Sequence, residues 1–381
     1  MYVTRRLSEY QRNRSELPES PNSGVLIIQD EESRPTCCFG SCYRATLKGL
    51  PFPQNANLIV SYGSSRIFLN QTITYIDPVV FIPVLDQPLS SNRYYVIKRG
   101  GKHSGKASAN AKEEDRVPCC FCFSYVPEAK PQEADPNDIY QQFQIHQKRS
   151  SSRYYTATSV APNGKPPEFL KRKYWNAEYS TSEDFGLKDD AKGIYTEIRS
   201  ELPSDFNTSV VVGKWYVPFI FVKEGNPKDQ LKSSAYYSMI LLQRWEEVYS
   251  CENAYNENRE VVVDVEVEPE VVKLEGQEIG KNTKSVDENG FFWFAVAEKR
   301  IGLRSVVMER MKWEEERFGW KIEPQRAVVK KSERFNGGGS NWKSYGCYVL
   351  VESFELRRKD KSLVLTFEFK HVDKLRTKWE S

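Results

Sequence analysis

Residues 214–247, KWYVPFIFVKEGNPKDQLKSSAYYSMILLQRWEE, constrain the fold more than any other stretch. An apolar run from Trp215 to Val222 leads into a polar loop. A second apolar-rich run from Tyr236 to Leu242 follows, and then Arg244-Trp245-Glu246-Glu247. The order recurs at 291–315 as FFWFAV, a loop through Gly302, VVMERM and Lys312-Trp313-Glu314-Glu315. A third version at 79–99 reads VVFIPVL, a loop and RYYVIKR, without the Trp. Paired apolar runs around a polar loop describe a hairpin, and their recurrence points to an internal repeat.

The second run of the first version fits two periods. Met239, Leu241, Gln243 and Trp245 alternate as in a strand, while Leu231, Ala235, Met239, Leu242, Trp245 and Tyr249 form a helical stripe. Two unambiguous segments favour strand for this run and its echo at 306–315. In EVVVDVEVEP at 260–269 the valines alternate with acids and a proline ends the run. Residues 346–356 and 362–370 flank a charged turn at 357–361 and form the clearest hairpin. Twenty Phe, 21 Tyr and 8 Trp suit strands and supply a large core.

A length of 381 residues exceeds one ordinary core. The expected fold is α+β and β-dominated: antiparallel hairpins in two similar β-rich parts with a few short helices. Residues 1–23 read as an N-terminal arm. Residues 24–150 read as a β-rich domain with two Cys-Cys-Phe hairpins, 151–207 as a basic and polar linker with short helices, and 208–381 as a second β-rich domain. Pro83 marks 79–85 as an edge strand or bulge. Residues 100–116 have no apolar pattern and read as a mobile loop. Residues 134–147 carry the best helix start, with Asp135 as N-cap and Pro136 in the first turn.

Net charge is +3, from 55 basic and 52 acidic residues, so no long-range field gathers nucleic acid, which is an unexpected partner. The first residues lack a signal-peptide apolar core, and no run approaches the ~18 apolar residues of a membrane span. These features lead to an expectation of a cytoplasmic protein, with a nuclear or peripheral membrane location as the alternative, and mainly reduced cysteines.

Six of those cysteines form two triplets: Cys37, Cys38 and Cys42, and Cys119, Cys120 and Cys122. Each follows a strand, a charged turn, an Arg and a Pro, which suggests duplicated hairpins. Were the hairpins adjacent, their thiolates would offer zinc a tetrahedral site. The spacing is not Cys-x-x-Cys, and adjacent strand residues face opposite ways, so buried structural thiols and regulatory oxidation compete with zinc. No other cofactor is expected.

Trp215, Arg244, Trp245, Lys312 and Trp313 are candidate ligand or interaction residues. The paired glutamates after each Trp invite an acid–base reading, but neighbours on a strand do not converge, and cross-strand pairing explains them as well. The cation-and-ring mixture at 148–175 would suit single strands or acidic headgroups, but its prolines favour a solvated linker. The chain has three histidines and no Gly-x-Ser-x-Gly, His-Glu-x-x-His, phosphate-loop or dinucleotide motif. An enzyme would need a site assembled from distant residues.

The segments MYVTRRLSEYQRN, NSGVLIIQDEE, CCFGSC, LPFPQN, LDQPLSSNRYYVI, DIYQQF, QRWEEVYSCEN and KWEEERFGW span nearly the whole chain. In them the chain resembles a family of plant proteins of unknown function, some of which carry the label "insecticidal crystal toxin domain". The resemblance implies an intracellular plant protein linked to stress or defence responses, and it carries no catalytic residues over. The expected role is a non-enzymatic scaffold that binds a protein or small molecule. The alternatives are a hydrolase-like enzyme and a lipid- or membrane-associating protein.

Overall fold

A computed structural model describes residues 1–381 apart from 14–19, 34–35, 38–41, 44–45, 67–70, 120–122, 150–151, 173, 181–184, 254–259, 280–284, 322–325, 337–341 and 381. Strand accounts for 50% of the chain and helix for 16%, in an antiparallel, β-dominated architecture. The helices among the described residues are α1 (Leu7–Arg12), α2 (Glu168–Lys171), α3 (Thr196–Glu201), α4 (Pro227–Ser233) and α5 (Ser305–Arg317).

The ambiguous run is a strand, Tyr236–Glu252, in which Tyr237, Met239, Leu241, Gln243 and Trp245 are buried and the residues between them less so. It is the central strand of a nine-stranded sheet. Val210–Pro218 pairs with it on one side and Ser344–Arg357 on the other, with Trp215 opposite Met239 and Trp245 opposite Leu350. Ser344–Arg357 then pairs with Leu363–Glu380, which is the hairpin expected around the charged turn. The polar loop before the central strand contains α4, capped by Asn226 Oδ1 accepting from Lys228 N, with Pro227 in the first turn.

The second sheet has six antiparallel strands in the order Tyr155–Ser159, Gln142–Gln147, Arg93–Lys98, Gln71–Pro83, Leu58–Arg66 and Asn176–Tyr179. Both its faces are covered around Val79–Ile82 and Tyr94–Ile97. Val79, Phe81, Tyr94 and Val96 join one core with Phe52, Phe143, Tyr155 and Trp175. Val80, Ile82, Tyr95 and Ile97 join the core of the nine-stranded sheet. The two sheets therefore share a core, and period-2 alternation assigns each residue to its side.

Several expectations are corrected. The echo at 306–315 is not a strand but α5. Val307, Met308, Met311, Glu314 and Glu315 are buried at helical spacing, and Glu309, Glu316 and Arg317 lie outside. The run holds good helix formers without Gly or Pro, and Gly319 ends it at φ 101°. Gly302 lies in a strand, Lys299–Arg304, rather than a loop. The presumed arm is structural: Tyr2–Arg6 lies between Val210–Pro218 and a parallel neighbour, Gly24–Ile28, and Met1 and Tyr2 are buried.

The expected helix at 134–147 is a short turn, Ile139–Gln141, capped by Asp138, and then the strand Gln142–Gln147 with Phe143 and Ile145 buried. The strand Gln71–Pro83 is interior rather than edge, with Pro83 at its end. The supposed mobile loop packs its small residues: Ser104, Ala107, Ser108, Ala109, Asn110 and Ala111 are buried, and Ala107 exchanges two backbone hydrogen bonds with Gln132. The supposed linker supplies two strands and two fully buried rings, Tyr155 and Trp175, to the six-stranded sheet.

Candidate functional site

Gln243, Leu350, Glu352, Phe369 and His371 occupy one face of the nine-stranded sheet in three adjacent strands, since Gln243 is opposite Glu352, Glu352 opposite Phe369 and Leu350 opposite His371. Three of these five are polar where the alternation demands apolar residues. Helix α3 contributes Arg199 and α5 contributes Glu314 and Glu315 to the same place. Arg199 Nε donates to Glu352 Oε1 at 2.9 Å and its Nη2 to Glu352 Oε2. Its Nη2 also reaches Glu315 Oε1 at 3.2 Å, and its Nη1 donates to the Glu314 carbonyl at 3.3 Å. Gln243 Nε2 donates to Glu352 Oε1 at 2.7 Å. His371 Nε2 lies 2.9 Å from Glu315 Oε2 and 3.5 Å from Glu352 Oε2, and Lys374 Nζ lies 3.2 Å from His371 Nδ1. The Phe318 ring covers the guanidinium at 4.2 Å.

Burial and the neighbouring Glu352 charge push the Glu315 carboxyl well above the usual range. Burial also pushes Glu352 up, but hydrogen bonds from His371 and Arg199 outweigh it and hold this carboxyl far below the usual range. The opposite shifts make Glu315 rather than Glu352 the carboxyl of the pair that favours its proton. Burial lowers the His371 pKa against the pull of Glu352. With Lys374 donating to Nδ1, the neutral ring carries its proton on Nε2 and presents it to the carboxyls.

Among the described residues, Glu315, Glu352 and His371 are the one set of three potential metal ligands close together, with ligating atoms within 4.8 Å of one another. Such a donor set suits zinc or iron, but the buried Arg199 guanidinium already neutralises it. A divalent ion would have to expel that charge, so the fit is poor. The three side chains have 0% accessibility. The adjoining cavity, lined by Trp320, Lys370 and His371 among others, measures about 80 Å³. The cluster has the parts of an acid–base site, is closed to solvent, and joins two helices to the sheet.

The structure separates the residues singled out from sequence. Trp215 is buried against Phe354. Trp245 is buried and donates Nε1–H to the Pro203 carbonyl at 2.7 Å. Arg244 faces the other way, pairing with Glu246 at 2.9 Å and Glu368 at 3.0 Å. Lys312 pairs with Glu270 at 3.4 Å, and Trp313 carries Arg310 and Arg317 over its ring. The two Trp-Glu-Glu motifs are therefore not equivalent, one being strand and the other helix. Of the two thiol triplets, Cys37 and Cys42 are cross-strand partners in a short hairpin, and Cys119 is exposed at the end of another, Val117–Cys119 with Phe123–Tyr125. Cys38, Cys120 and Cys122 lie outside the described residues.

An open cleft of about 360 Å³ lies elsewhere, between α1, the Leu50 loop, the turn at Leu89–Ser91 and the strand Gln142–Gln147. Its lining is Tyr10, Leu50, Ser90, Asn92, Ile145, His146 and Gln147. His146, expected on a helix, stands exposed on this strand with Nε2 2.8 Å from Thr158 Oγ1.

Residues 19–121 match the model of a family described as "Protein of unknown function (DUF1262)". No curated protein matches the chain. A solved structure described as "Crystal structure of Cry35Ab1" is similar at 12% identity over 86% of this chain and 90% of that one, with a TM-score of 0.44, a likeness too low to carry an argument about function. No helix among the described residues is long and apolar enough to cross a membrane.

Proposed function

We propose that this protein is a non-enzymatic binding scaffold. The observation behind this reading is the sealing of its acid–base groups: the Glu315, Glu352 and His371 side chains have 0% accessibility and are saturated by Arg199, Gln243 and Lys374. Catalytic groups must reach the reacting atoms, and these do not. The open cleft, by contrast, presents hydrogen-bonding side chains with no nucleophile paired to a base. The motif resemblance adds the setting, an intracellular plant protein of stress or defence physiology whose partner is a protein or small molecule. The test is turnover by the full chain across ester, glycoside and phosphate substrates. No activity above buffer is expected. Turnover that disappears in Glu315→Gln while its unfolding transition stays cooperative overturns the reading.

A further inference from the structure

We propose that the surface formed by the turn at 148–154 and the segment at 171–174 binds single-stranded nucleic acid, a partner beyond those of the scaffold reading. Charge comes first. Residues 148–173 hold seven basic residues and one acidic one, so the rest of a chain of net charge +3 is negative. The even balance of the whole chain hides this local excess. Lys148, Arg149, Arg153 and Lys171 are exposed. Lys165 and Arg172 are paired, at 3.2 Å with Glu113 and at 3.6 Å with Glu168. A phosphate backbone complements such a cluster.

The fold gathers these cations. A solvated linker would leave them dispersed, but Tyr155, Phe169, Leu170 and Trp175 are buried and anchor both segments. The Tyr155 N–H donates to the Trp175 carbonyl at 2.9 Å, and Thr156 Oγ1 to the Lys171 carbonyl at 3.3 Å. The Lys148 N–H closes the turn on the Tyr154 carbonyl at 3.0 Å. The two basic segments therefore lie side by side.

The rings select among polyanions. Lys148 Nζ sits 3.8 Å from the centre of the Tyr174 ring, and the Tyr154 ring meets Tyr174 edge-on at 5.7 Å. Two residues before Tyr174, Arg172 lies 5.0 Å over Tyr62, which stacks on the exposed Tyr75 at 5.3 Å. A cation resting on a ring can pass to a phosphate while a base takes its place on the ring face. Tyr174 has φ 80°, a strained backbone for a bulky side chain, yet it is 50% exposed. The strain presents a ring to solvent rather than burying one. A carboxylate polymer offers no flat face to such a ring. A lipid surface favours aliphatic side chains that insert, and KRSSSRYY at 148–155 and KRKY at 171–174 contain none.

The full chain is titrated against fluorescein-labelled oligo(dT) and oligo(rU) of about 20 nucleotides, read by anisotropy from about 50 to 200 mM salt. A duplex of equal length, polyglutamate and phosphatidylserine vesicles are the comparators. Single strands are expected to bind, and to bind more tightly than all three. Tyr174→Gly removes the ring and suits the backbone at φ 80°. Its affinity should fall at least about fivefold, with the unfolding midpoint kept or raised. Lys148→Gln/Arg153→Gln should flatten the slope of log affinity against log salt by about 1.4. No bound single strand, equal or tighter binding of any comparator, or indifference to either variant overturns the assignment and leaves the scaffold reading standing. Shortening of the bound strand, seen on a gel, overturns the scaffold reading and leaves the surface assigned.

Discussion

Arg199 and Glu352, 153 residues apart in sequence, meet through two hydrogen bonds inside the fold. The pair ties α3 to the sheet, and Glu315 ties α5 to the pair. Removing either charge leaves the other buried and uncompensated. Arg199→Met or Glu352→Leu is expected to cost about 3–5 kcal/mol in urea unfolding, and the two substitutions together distinctly less than the sum. Additive losses would show that the two side chains do not act as a pair.

Stability should change with pH through the same cluster. The folded pKa of Glu315 is raised, so its contribution is fully present below the ordinary 4.5 and is lost as pH rises through the folded value. The folded pKa of His371 is lowered, so the unfolded state takes up its proton first, and stability falls as pH drops through 6.5. Glu315→Gln keeps the neutral form at all pH values and should flatten the alkaline decline, and His371→Asn should flatten the acid one. Thermal midpoints from pH 4 to 9 would check both; parallel curves for variants and parent would refute the assignment.

Gly213 should tolerate no side chain. A Cβ there would stand 2.8 Å from the Trp215 ring and 3.3 Å from Ile194. The ring is buried in the shared core and has no room to retreat. Gly213→Ala is expected to destabilise by roughly 1–3 kcal/mol, read from denaturant unfolding. An unchanged midpoint would mean that the ring moves freely.

Thiol reactivity should separate by environment. Cys119 is exposed, whereas Cys347 is buried and burial pushes its thiol above the ordinary value. Iodoacetamide at pH 8 should label Cys119 within minutes and Cys347 only after unfolding, as mass spectrometry of digests would show. Metal analysis of the reduced, dialysed protein bears on the triplets: stoichiometric zinc would favour a shared site, and its absence the structural thiols.

The hairpins were legible because their signals are local. Alternation in 236–247 and 260–267 and the charged turn at 357–361 each lie within a dozen residues. Residues 306–315 were misread because a short apolar run ending in Trp-Glu-Glu matches both periods, and the choice rested on an echo rather than on burial. The supposed arm and linker failed for a related reason: a charged segment such as Tyr2–Arg6 becomes a strand once neighbours some 200 residues away cover it, and no local pattern records them. The buried cluster draws on five elements and left one trace, Gln243 in phase with Met239, Leu241 and Trp245. A polar residue in the apolar phase requires a buried partner, but nothing in the spacing identifies Arg199 or Glu352 as that partner.

The order of strands also dictates when each surface can be covered during synthesis. The six-stranded sheet is complete once residue 179 has left the ribosome, but Val80, Ile82, Tyr95 and Ile97 pack against residues that emerge later, among them Tyr236, Tyr237 and Leu303. Until then the nascent chain displays a greasy plane with nothing to lie against, and Tyr2–Arg6 waits for Val210–Pro218. That interval is when aggregation competes most strongly with folding.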